Sequence, residues 1–490
     1  MRHVCEIYVS PRSSVTLSSD TTQSTGDRGS VTTFPRHQEG TPSTPPVVAD
    51  DPATIAQPRL VPPLEDAQHR RESGPLSGVI TELGFRPDQG MDAASSGVGL
   101  MPVFQPVVSL PDEHVVGFEA LARWPMFTSM TASNVFSFAN VSRQTEVLDR
   151  HCIDAAVRAA LDSDLPPGSL LLINTEPAVA HTPRASHPAL DEACERFQVA
   201  FELTERHLLT HPQALLAKVA AIKDDGIAIA VDDVGAQPDS LAVLDILDPD
   251  IVKLDMTMIQ GSAQRYKAHT LTGVLAHHER TGALIIAEGV ESDEDLEQSL
   301  AMGANLAQGF RFGRARPLGR QQRATGRPPL RIERRGGSSA HAAAEDDRMP
   351  LRTARRQVVA AFARHIEEQA RHSIDHPIVL AALQRAQDIP SGLFELYREL
   401  AASSPLVVIL GRDLPPDLGG GVRGVALEPD DPLCHEWVVV TLGADTCRAM
   451  VARELRSPAR HGDDQRFEFL ITSDRTLVTR AARSLLGRVG

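Results

Sequence analysis

The stretch Gly226–Gly235, GIAIAVDDVG, decides the fold. An apolar run from Ile227 to Val231 leads directly into two adjacent carboxylates, Asp232 and Asp233. A strand that is buried on both faces has a continuous apolar sequence of this kind, and its carboxyl end carries the chemistry in open-topped α/β folds. Adjacent carboxylates repel each other, so a positive partner is expected, and a divalent cation with oxygen ligands is the usual one. Alternatively, an isolated pair of this kind opens a loop and caps the next helix.

The pattern of an apolar strand with a polar end recurs along the chain. The further segments and their polar residues are SLLLIN with Asn174, VAFELTE with Glu202 and Glu205, DIVKLD with Lys253 and Asp255, ALIIAEGVE with Glu288 and Glu291, and ANLAQGF with Gln308. Segments of helical period separate them, such as Leu208–Ile222 and Ser292–Leu300. Successive polar ends are about 20 to 35 residues apart, which is the repeat length of a (β/α)8 barrel. The sequence therefore predicts an α/β fold with a TIM-like barrel and a functional polar rim.

The ordered part of the chain is predicted to begin with a pair of strands. The segments GLMPVFQPVVSL and HVVGFEALARW flank a tight turn at 111–113. Glu119 lies inside the second segment, among apolar neighbours. Burying an unpaired carboxylate is costly, so Glu119 requires a cationic partner.

The second of these segments also carries a family resemblance. Phe118–Trp124, FEALARW, resembles the signature of the EAL family of cyclic di-GMP phosphodiesterases. The later segments FELTE, AVDDVG, VKLD, AEGVE and AQGF resemble that family's other motifs in the same order, as far as about Pro317. The resemblance implies an EAL-type barrel that hydrolyses cyclic di-GMP to linear pGpG with two divalent cations, Mg²⁺ or Mn²⁺.

The resemblance also implies a role for each polar residue of the rim. One cation would be held by Glu119, Asn174, Glu202 and Asp232, and the other would be held or supported by Asp232, Asp233 and Glu288. Lys253 and Gln308 would flank the attacking water, and Glu205 would brace the loop after Asp233. Gln105 and Arg123 resemble the positions that contact the bound dinucleotide.

The residue types suit this chemistry. Two cations can neutralise an anionic phosphodiester, activate a bridging water and support the leaving oxygen, and carboxylate and amide oxygens select hard cations. Because nearby negative charge favours the charged form of a lysine, we interpret Lys253 as an orienting and charge-stabilising group rather than a general base. An ion pair of Lys253 with Asp255 or Glu288 is the purely structural alternative.

One segment departs from the family pattern. After Asp233 the family usually has Phe, Gly, a small residue, Gly, Tyr and Ser, whereas this chain has Val234, Gly235 and then AQPDS. The counterpart of this loop couples metal binding to dimerisation and control in the family, so the resemblance implies a homodimer and altered control. Three hypotheses about the function remain: an active phosphodiesterase, a catalytically weak or inactive cyclic di-GMP receptor, and a scaffold that only binds partners. The charge concentrated at the rim argues against the scaffold.

Composition and length limit the possible partners, cellular location and domain organisation of the chain. The 490 residues carry 64 acidic and 49 basic side chains, a net charge of −15, which argues against binding long nucleic acid. The five cysteines lack metal or disulfide spacing, and neither a signal peptide nor a membrane span is present in the sequence, so we expect a cytoplasmic protein. We predict disordered residues 1–95, an EAL-type barrel at 96–320, a linker at 321–349 with helix leading into the next domain, and a smaller α/β domain at 350–490.

The C-terminal α/β domain resembles the DICT domain, a presumed sensory module. The resemblance lies in LVVILGRDLPP (Leu406–Pro416), in EPDDPL before Trp437 and in FEFLITSDRTLV. We predict helices starting near Val358, through Leu383 and Leu393 to Leu400, and at Thr446–Leu455 and Arg475–Leu486, with four short strands. Cys434, His435 and Cys447 could form a metal site, but their spacing matches no known one and favours core or loop roles. A sensory ligand or signalling partner of this domain is expected.

Overall fold

The computed structural model describes residues 87–127, 130–204, 208–236, 241–261, 265–319, 351–385, 391–455 and 465–490. Four predictions fall outside these residues: those for the segment before residue 87, the linker at 321–349, Glu205, and most of the altered loop, 237–240. All described residues belong to one compact unit that extends to Gly490.

Eight strands close into the predicted barrel in the order β1 to β8. They are β1 Met101–Ser109, β2 Val115–Arg123, β3 Leu170–Asn174, β4 Gln198–Thr204, β5 Ala228–Val234, β6 Ile251–Leu254, β7 Leu284–Ala287 and β8 Leu306–Gln308. Strands β2 to β8 are parallel, whereas β1 runs antiparallel to both β2 and β8 because only a tight turn joins it to β2. The prediction of a TIM-like α/β barrel is confirmed.

Helices cover the outside of the barrel. They are α1 Pro87–Ser95, α2 Ala132–Ser142, α3 Thr145–Leu161, α4 Pro188–Arg196, α5 Pro212–Asp224, α6 Leu241–Leu247, α7 Met256–Ile259, α8 Arg265–Thr281 and α9 Asp293–Ala301. Ser292 caps α9 as predicted, since its side chain accepts a hydrogen bond from the backbone of Asp295 and Asp295 reaches back to Ser292. Helix α5 begins at Pro212 rather than at Leu208.

The prediction of disorder through residue 95 is wrong for its last nine residues, which form α1. Ala94 is fully buried there, in a small apolar cluster with Trp124, Phe127 and Val135. The sequence of α1 shows little apolar periodicity. The stability of this helix comes from the tertiary contact rather than from a wide apolar face.

A seven-stranded sheet forms the second domain, in the order β12-β11-β10-β13-β14-β15-β9. Its strands are β9 Arg352–Arg355, β10 Ile378–Arg385, β11 Val407–Arg412, β12 Arg423–Ala426, β13 Glu436–Leu442, β14 Cys447–Glu454 and β15 Arg466–Thr472. Its helices are α10 Arg356–Arg371, α11 Ser391–Ala401 and α12 Arg475–Leu486.

Two helix predictions in this domain are wrong. Leu383 lies in β10, and the segment predicted as a helix at Thr446–Leu455 contains β14, which pairs with β13 on one side and β15 on the other. The alanines, arginines and glutamate of β14 favour a helix locally, but ladder hydrogen bonds on both edges outweigh that preference.

Helix α12 packs the second domain against the barrel. Val478, Ala482 and Leu485 of α12 belong to the same buried apolar cluster as Leu241 and Leu244 of α6. All seven residues of α6 are buried. The two domains therefore share a continuous apolar core. Among the described residues, no helix combines the length and the apolar character needed to span a bilayer.

We predict that removing residues 1–86 leaves the thermal stability of the chain unchanged, whereas removing residues 1–95 lowers it. The longer deletion removes Ala94 and uncovers Trp124 and Phe127, which should cost on the order of 2–4 kcal/mol at about 25 cal/mol per Å² of apolar surface. Chemical denaturation of both truncated chains measures the difference. Equal stability of the two would show that α1 contributes nothing to the barrel.

Candidate active site

The polar rim is built by the alternation of side chains along the barrel strands. On six strands an apolar residue faces the inside of the barrel and a polar residue follows two positions later. The polar residue faces inward as well, because successive strand residues point to opposite faces. The apolar residues form a lower layer and the polar residues an upper one. The pairs are Leu172 and Asn174, Ala200 and Glu202, Ala230 and Asp232, Ile251 and Lys253, Ile286 and Glu288, and Leu306 and Gln308. Glu119 of β2 joins this polar layer and pairs in register with Leu172 of β3. An apolar plug therefore lies beneath a polar layer at the carboxyl end of the barrel.

Asp233 breaks this alternation. Its φ of +60° lies in the left-handed region, which non-glycine residues seldom adopt, and the register between β5 and β6 shifts between Val231 and Val234. The irregularity lets two consecutive carboxylates serve one site. Gly235 follows with a φ of +94°, and a Cβ there would lie 2.7 Å from the side chain of Met258. The glycine is therefore required by both backbone and packing.

The Lys253 ammonium lies among four carboxylates. Its Nζ is 2.8 Å from Glu202 Oε1, 2.9 Å from Asp232 Oδ1 and 2.8 Å from Glu288 Oε1. Its distance to Glu119 Oε2 is 3.5 Å. Lys253 itself is completely buried. The cationic partner that Glu119 requires is thus present, and the alternative of an ion pair with Glu288 holds as part of a larger cluster.

Burial and charge shift the pKa values of this cluster in different directions. Burial alone would lower the pKa of Lys253, but the surrounding carboxylates raise it well above its usual value, so the ammonium stays charged. Burial, reinforced by Glu119, raises the pKa of Glu202 well above its usual value. Burial is also the main cause that raises the pKa of Glu288 to about 8. One ammonium is too little positive charge for this many carboxylates.

Glu119 differs from Glu202 and Glu288 because its pKa is lowered. Burial acts to raise its pKa, but the Lys253 charge and hydrogen bonds from Gln308 and Asn174 outweigh that effect and lower it. Gln308 Nε2 donates to Glu119 Oε2 at 2.6 Å. Asn174 Nδ2 donates to Glu119 Oε1 at 3.2 Å and to Glu202 Oε2 at 3.0 Å. The Lys253 charge and two amides therefore favour the ionised form of Glu119, and the amides fix its position.

The carboxylates form two groups that could each hold a cation. Glu119, Glu202 and Asp232 make one group, and Asp232, Asp233 and Glu288 make the other, with the oxygens of each group within 4.8 Å of one another. Glu202 Oε1 and Asp232 Oδ1 make ion pairs with Lys253 but, among the described residues, no hydrogen bond. Gln308 Oε1 is also buried without a hydrogen bond to a described residue. Hard oxygen ligands with spare acceptor capacity fit a divalent cation.

The two residues predicted to contact the dinucleotide lie next to Glu119 on the strand pair. Gln105 stands directly opposite Glu119 in the antiparallel register. Arg123 lies four residues beyond Glu119 on the same face of β2 and is exposed. Asp255, in contrast, caps α7 by accepting a hydrogen bond from the Thr257 backbone at 2.8 Å.

A second buried ionic cluster, which the sequence analysis missed, supports the end of β3. Lys218 Nζ donates to Thr175 Oγ1 at 2.7 Å and to the Glu176 carbonyl at 2.6 Å. Asp149 accepts from Thr175 Oγ1 at 3.0 Å and from the Glu176 backbone at 2.9 Å. These contacts fix the residues that directly follow Asn174. The signal in the sequence was a lysine inside the apolar face of α5.

The cysteines of the second domain do not form a metal site. Among the described residues, the groups of acidic, histidine or cysteine side chains close enough to hold a cation are the two at the barrel rim. Cys434 instead donates from Sγ to the Glu428 carbonyl at 3.2 Å. The expected core or loop role is therefore the one that the structure supports for Cys434.

A closed barrel with two carboxylate groups around a buried lysine defines the class of the first domain. Residues 91–315, a little under half of the chain, match the EAL domain family. Residues 340–455 match the DICT family, described as a sensory domain in diguanylate cyclases and two-component systems. Strand β15 and α12 lie beyond that match but belong to the same sheet and its helical layer.

Individual relatives resemble the first domain. The chain is 28% identical over 259 residues to the probable cyclic di-GMP phosphodiesterase PdeN of Escherichia coli, covering 50% of this chain and 49% of that protein. It is 29% identical over 263 residues to the cyclic di-GMP phosphodiesterase RocR of Pseudomonas aeruginosa, covering 51% and 65%. Klebsiella pneumoniae BlrP1, solved as a manganese and cyclic di-GMP complex, is 25% identical, with a TM-score of 0.36 and coverage of 44% and 56%. The chain thus spans half to two thirds of the length of these two phosphodiesterases.

We predict that Lys253→Met lowers the free energy of unfolding by about 3–5 kcal/mol, because it leaves two buried and two partly buried carboxylates without their ammonium. Millimolar Mn²⁺ should restore part of that loss. Lys218→Met is the matched control, since it also removes a buried ammonium but lies outside both carboxylate groups.

Thermal denaturation with and without Mn²⁺ measures both variants. Mn²⁺ should raise the melting temperature of Lys253→Met more than that of Lys218→Met. Equal responses of the two variants would contradict a cation site at the carboxylate groups.

Proposed function

We propose that this protein is a metal-dependent phosphodiesterase that hydrolyses cyclic di-GMP to linear pGpG. The observation that supports this most is the excess of carboxylates at the rim, five against the single ammonium of Lys253. Such a site attracts cations, and a cation-filled site attracts an anionic phosphodiester. The EAL domain and the names of the relatives supply the cyclic dinucleotide as substrate.

Two divalent cations, Mg²⁺ or Mn²⁺, would be held by the two carboxylate groups, with Asp232 shared between them. When bound, they would neutralise the phosphate and acidify the attacking water. Asn174 would contribute its amide oxygen to the first cation. Because its nitrogen faces Glu119 and Glu202 in this structure, that amide would have to turn around.

Lys253 would hold charge at the reacting phosphate without moving a proton. Its raised pKa keeps the side chain as a charged ammonium group and makes it a poor proton acceptor. Water would attack the phosphorus in line with the P–O3′ bond, which breaks and leaves a 5′-phosphate and a free 3′-hydroxyl. Gln308, held by Glu119, would orient that water, Gln105 and Arg123 would contact the dinucleotide, and Glu205 would brace the loop after Asp233.

A cyclic di-GMP receptor with weak or no turnover is the second candidate, and two observations favour it. Lys253 makes ion pairs with members of both carboxylate groups and so competes with cations for them. Val234, which replaces the usual Phe of the family, is completely buried. Restoring Phe at Val234 would overpack this position, so the first residue of the altered segment is fitted to the core around it.

We expect purified protein with Mn²⁺ to convert cyclic di-GMP to pGpG, and protein with Ca²⁺ to bind the dinucleotide without product. Ca²⁺ is larger and polarises water less than Mn²⁺. Glu119→Gln should reduce turnover at least about a hundredfold, since it removes a charged ligand that no neighbour replaces. Chromatographic analysis of the nucleotides measures the product.

The matched control is Glu279→Gln, on the exposed face of α8, which should retain full turnover. Full turnover in Glu119→Gln with metal retained would remove Glu119 from the metal site. Tight binding with both metals and no pGpG after long incubation would decide for the receptor.

We propose further that the second domain controls the barrel through α6. This helix follows the loop after Asp233, so its position bears on the second carboxylate group. Arg475 of α12 donates to the side chain of Asp245 in α6, which also pairs with Arg280 of α8. Arg483 donates to the Ile246 carbonyl at 2.8 Å. The second domain thus holds α6 by charged contacts around an apolar centre.

Arg475→Ala should lower kcat about three- to tenfold with a smaller effect on the affinity for Mn²⁺, because it loosens α6 while leaving every rim residue in place. Arg466→Ala, at the exposed first residue of β15, is the control and should behave as the unchanged chain. Steady-state kinetics and a Mn²⁺ titration separate the two effects. Unchanged kcat in Arg475→Ala would contradict control through this contact.

A further inference from the structure

A cavity in the second domain has no role in the proposed hydrolysis. It has a volume of about 520 Å³, within the range of about 300–1,000 Å³ typical of small-molecule sites. Its walls are α10 and α11, and its floor is formed by side chains of β10, β13 and β15. The cavity and α12 lie on opposite faces of the sheet, because Trp437 of β13 lines the cavity while the next residue, Val438, packs in the cluster that contains α12.

Much of the cavity wall is apolar. The wall residues of this type are Ala360, Ala363, Leu383, Leu393, Leu396 and Phe467. Trp437 and Phe467 meet edge to face, with their ring centroids 6.3 Å apart. The apolar part of a ligand would displace water from these surfaces and pack against the two aromatic rings.

Two residues of the cavity wall also carry buried polar atoms. Glu367 is only 1% exposed, and its Oε1 accepts a hydrogen bond from the Tyr397 hydroxyl at 2.6 Å. Its Oε2, and the indole Nε1 of Trp437, are buried without a hydrogen bond to any described residue. These atoms have almost no accessible surface, so the arginines of the wall are the groups that bear on the charge of a ligand.

The charged side chains of the cavity wall lie on α10. Three arginines, Arg356, Arg364 and Arg371, line the cavity together with Glu368 and the buried Glu367. The arginines outnumber the carboxylates, which favours a ligand rich in acceptors and negative charge.

We propose that this cavity is the ligand site of the sensory domain and that it takes a small amphipathic organic anion, with an apolar body between α10 and α11. The anionic oxygens would accept hydrogen bonds from the arginines of α10. The inference does not rest on cyclic di-GMP turnover, so it stands or fails independently of the proposed function.

A pair of matched dyes tests the site in the full-length chain. The probe is 8-anilinonaphthalene-1-sulfonate, and N-phenyl-1-naphthylamine is the same apolar body without the sulfonate. Fluorescence titration should show one saturable sulfonate site per chain. Ala360→Trp, which fills the cavity from a partly exposed wall position, should weaken binding of both dyes at least about tenfold.

Arg364→Ala should weaken the sulfonate probe about fivefold or more and leave the neutral probe unchanged, since only the first dye carries the charge. Arg398→Ala, an exposed arginine of α11 that pairs with Glu395 and does not line the cavity, is the control and should change neither. Unchanged binding in Ala360→Trp would overturn the site. Equal effects of Arg364→Ala on both dyes, or no effect on either, would overturn the anionic class of the ligand.

Discussion

The buried ammonium of Lys253 is the interaction on which the barrel rim depends. Four carboxylates from β2, β4, β5 and the end of β7 converge on it, and the residue has no exposure to solvent. Burying several ions without a counter-charge would cost far more than a domain's net stability. A single ammonium makes the cluster compatible with folding, yet it leaves an excess of negative charge. The same excess of negative charge would favour divalent cations at the two carboxylate groups, so in the proposed function stability and chemistry have one origin.

Most of the barrel and its rim follow from the sequence because inward positions in a strand recur every two residues. Asn174, Glu202, Asp232, Lys253, Glu288 and Gln308 each lie two positions beyond an apolar plug residue. Strand periodicity therefore predicts that they share a layer, and barrel closure brings the layer together. The participation of Asp233 follows from no such rule, because it depends on a backbone irregularity with φ of +60°. Its adjacency to Asp232 suggested a shared cation, and the family resemblance assigned it to the second one.

The errors in the sequence prediction lie where tertiary contacts outweigh local preference. Strand β14 has the composition of a helix, but hydrogen-bonded neighbours on both edges hold it extended. Helix α1 has no strong apolar stripe, yet Ala94 is fully buried against Trp124. The brace of Lys218, Thr175 and Asp149 joins three elements that are distant in sequence, so spacing alone could not reveal it. In each case the local structure depends on contacts with residues that are distant in the sequence.

The position of α12 bears on how the second domain could act on this barrel. Helix α6 is buried along its whole length and packs with α8 and α12. The second domain also reaches the segment after β4, where Arg423 donates to the Thr210 carbonyl at 2.8 Å. The second domain therefore contacts elements that follow two of the rim strands. It can act by shifting α6, whose amino end follows the loop from Asp233. Strand β13 presents Trp437 to the cavity and Val438 to the α12 face, so a ligand between α10 and α11 would press on the same strand that supports α12. A close-packed sheet transmits such a displacement because neither face can yield without the other.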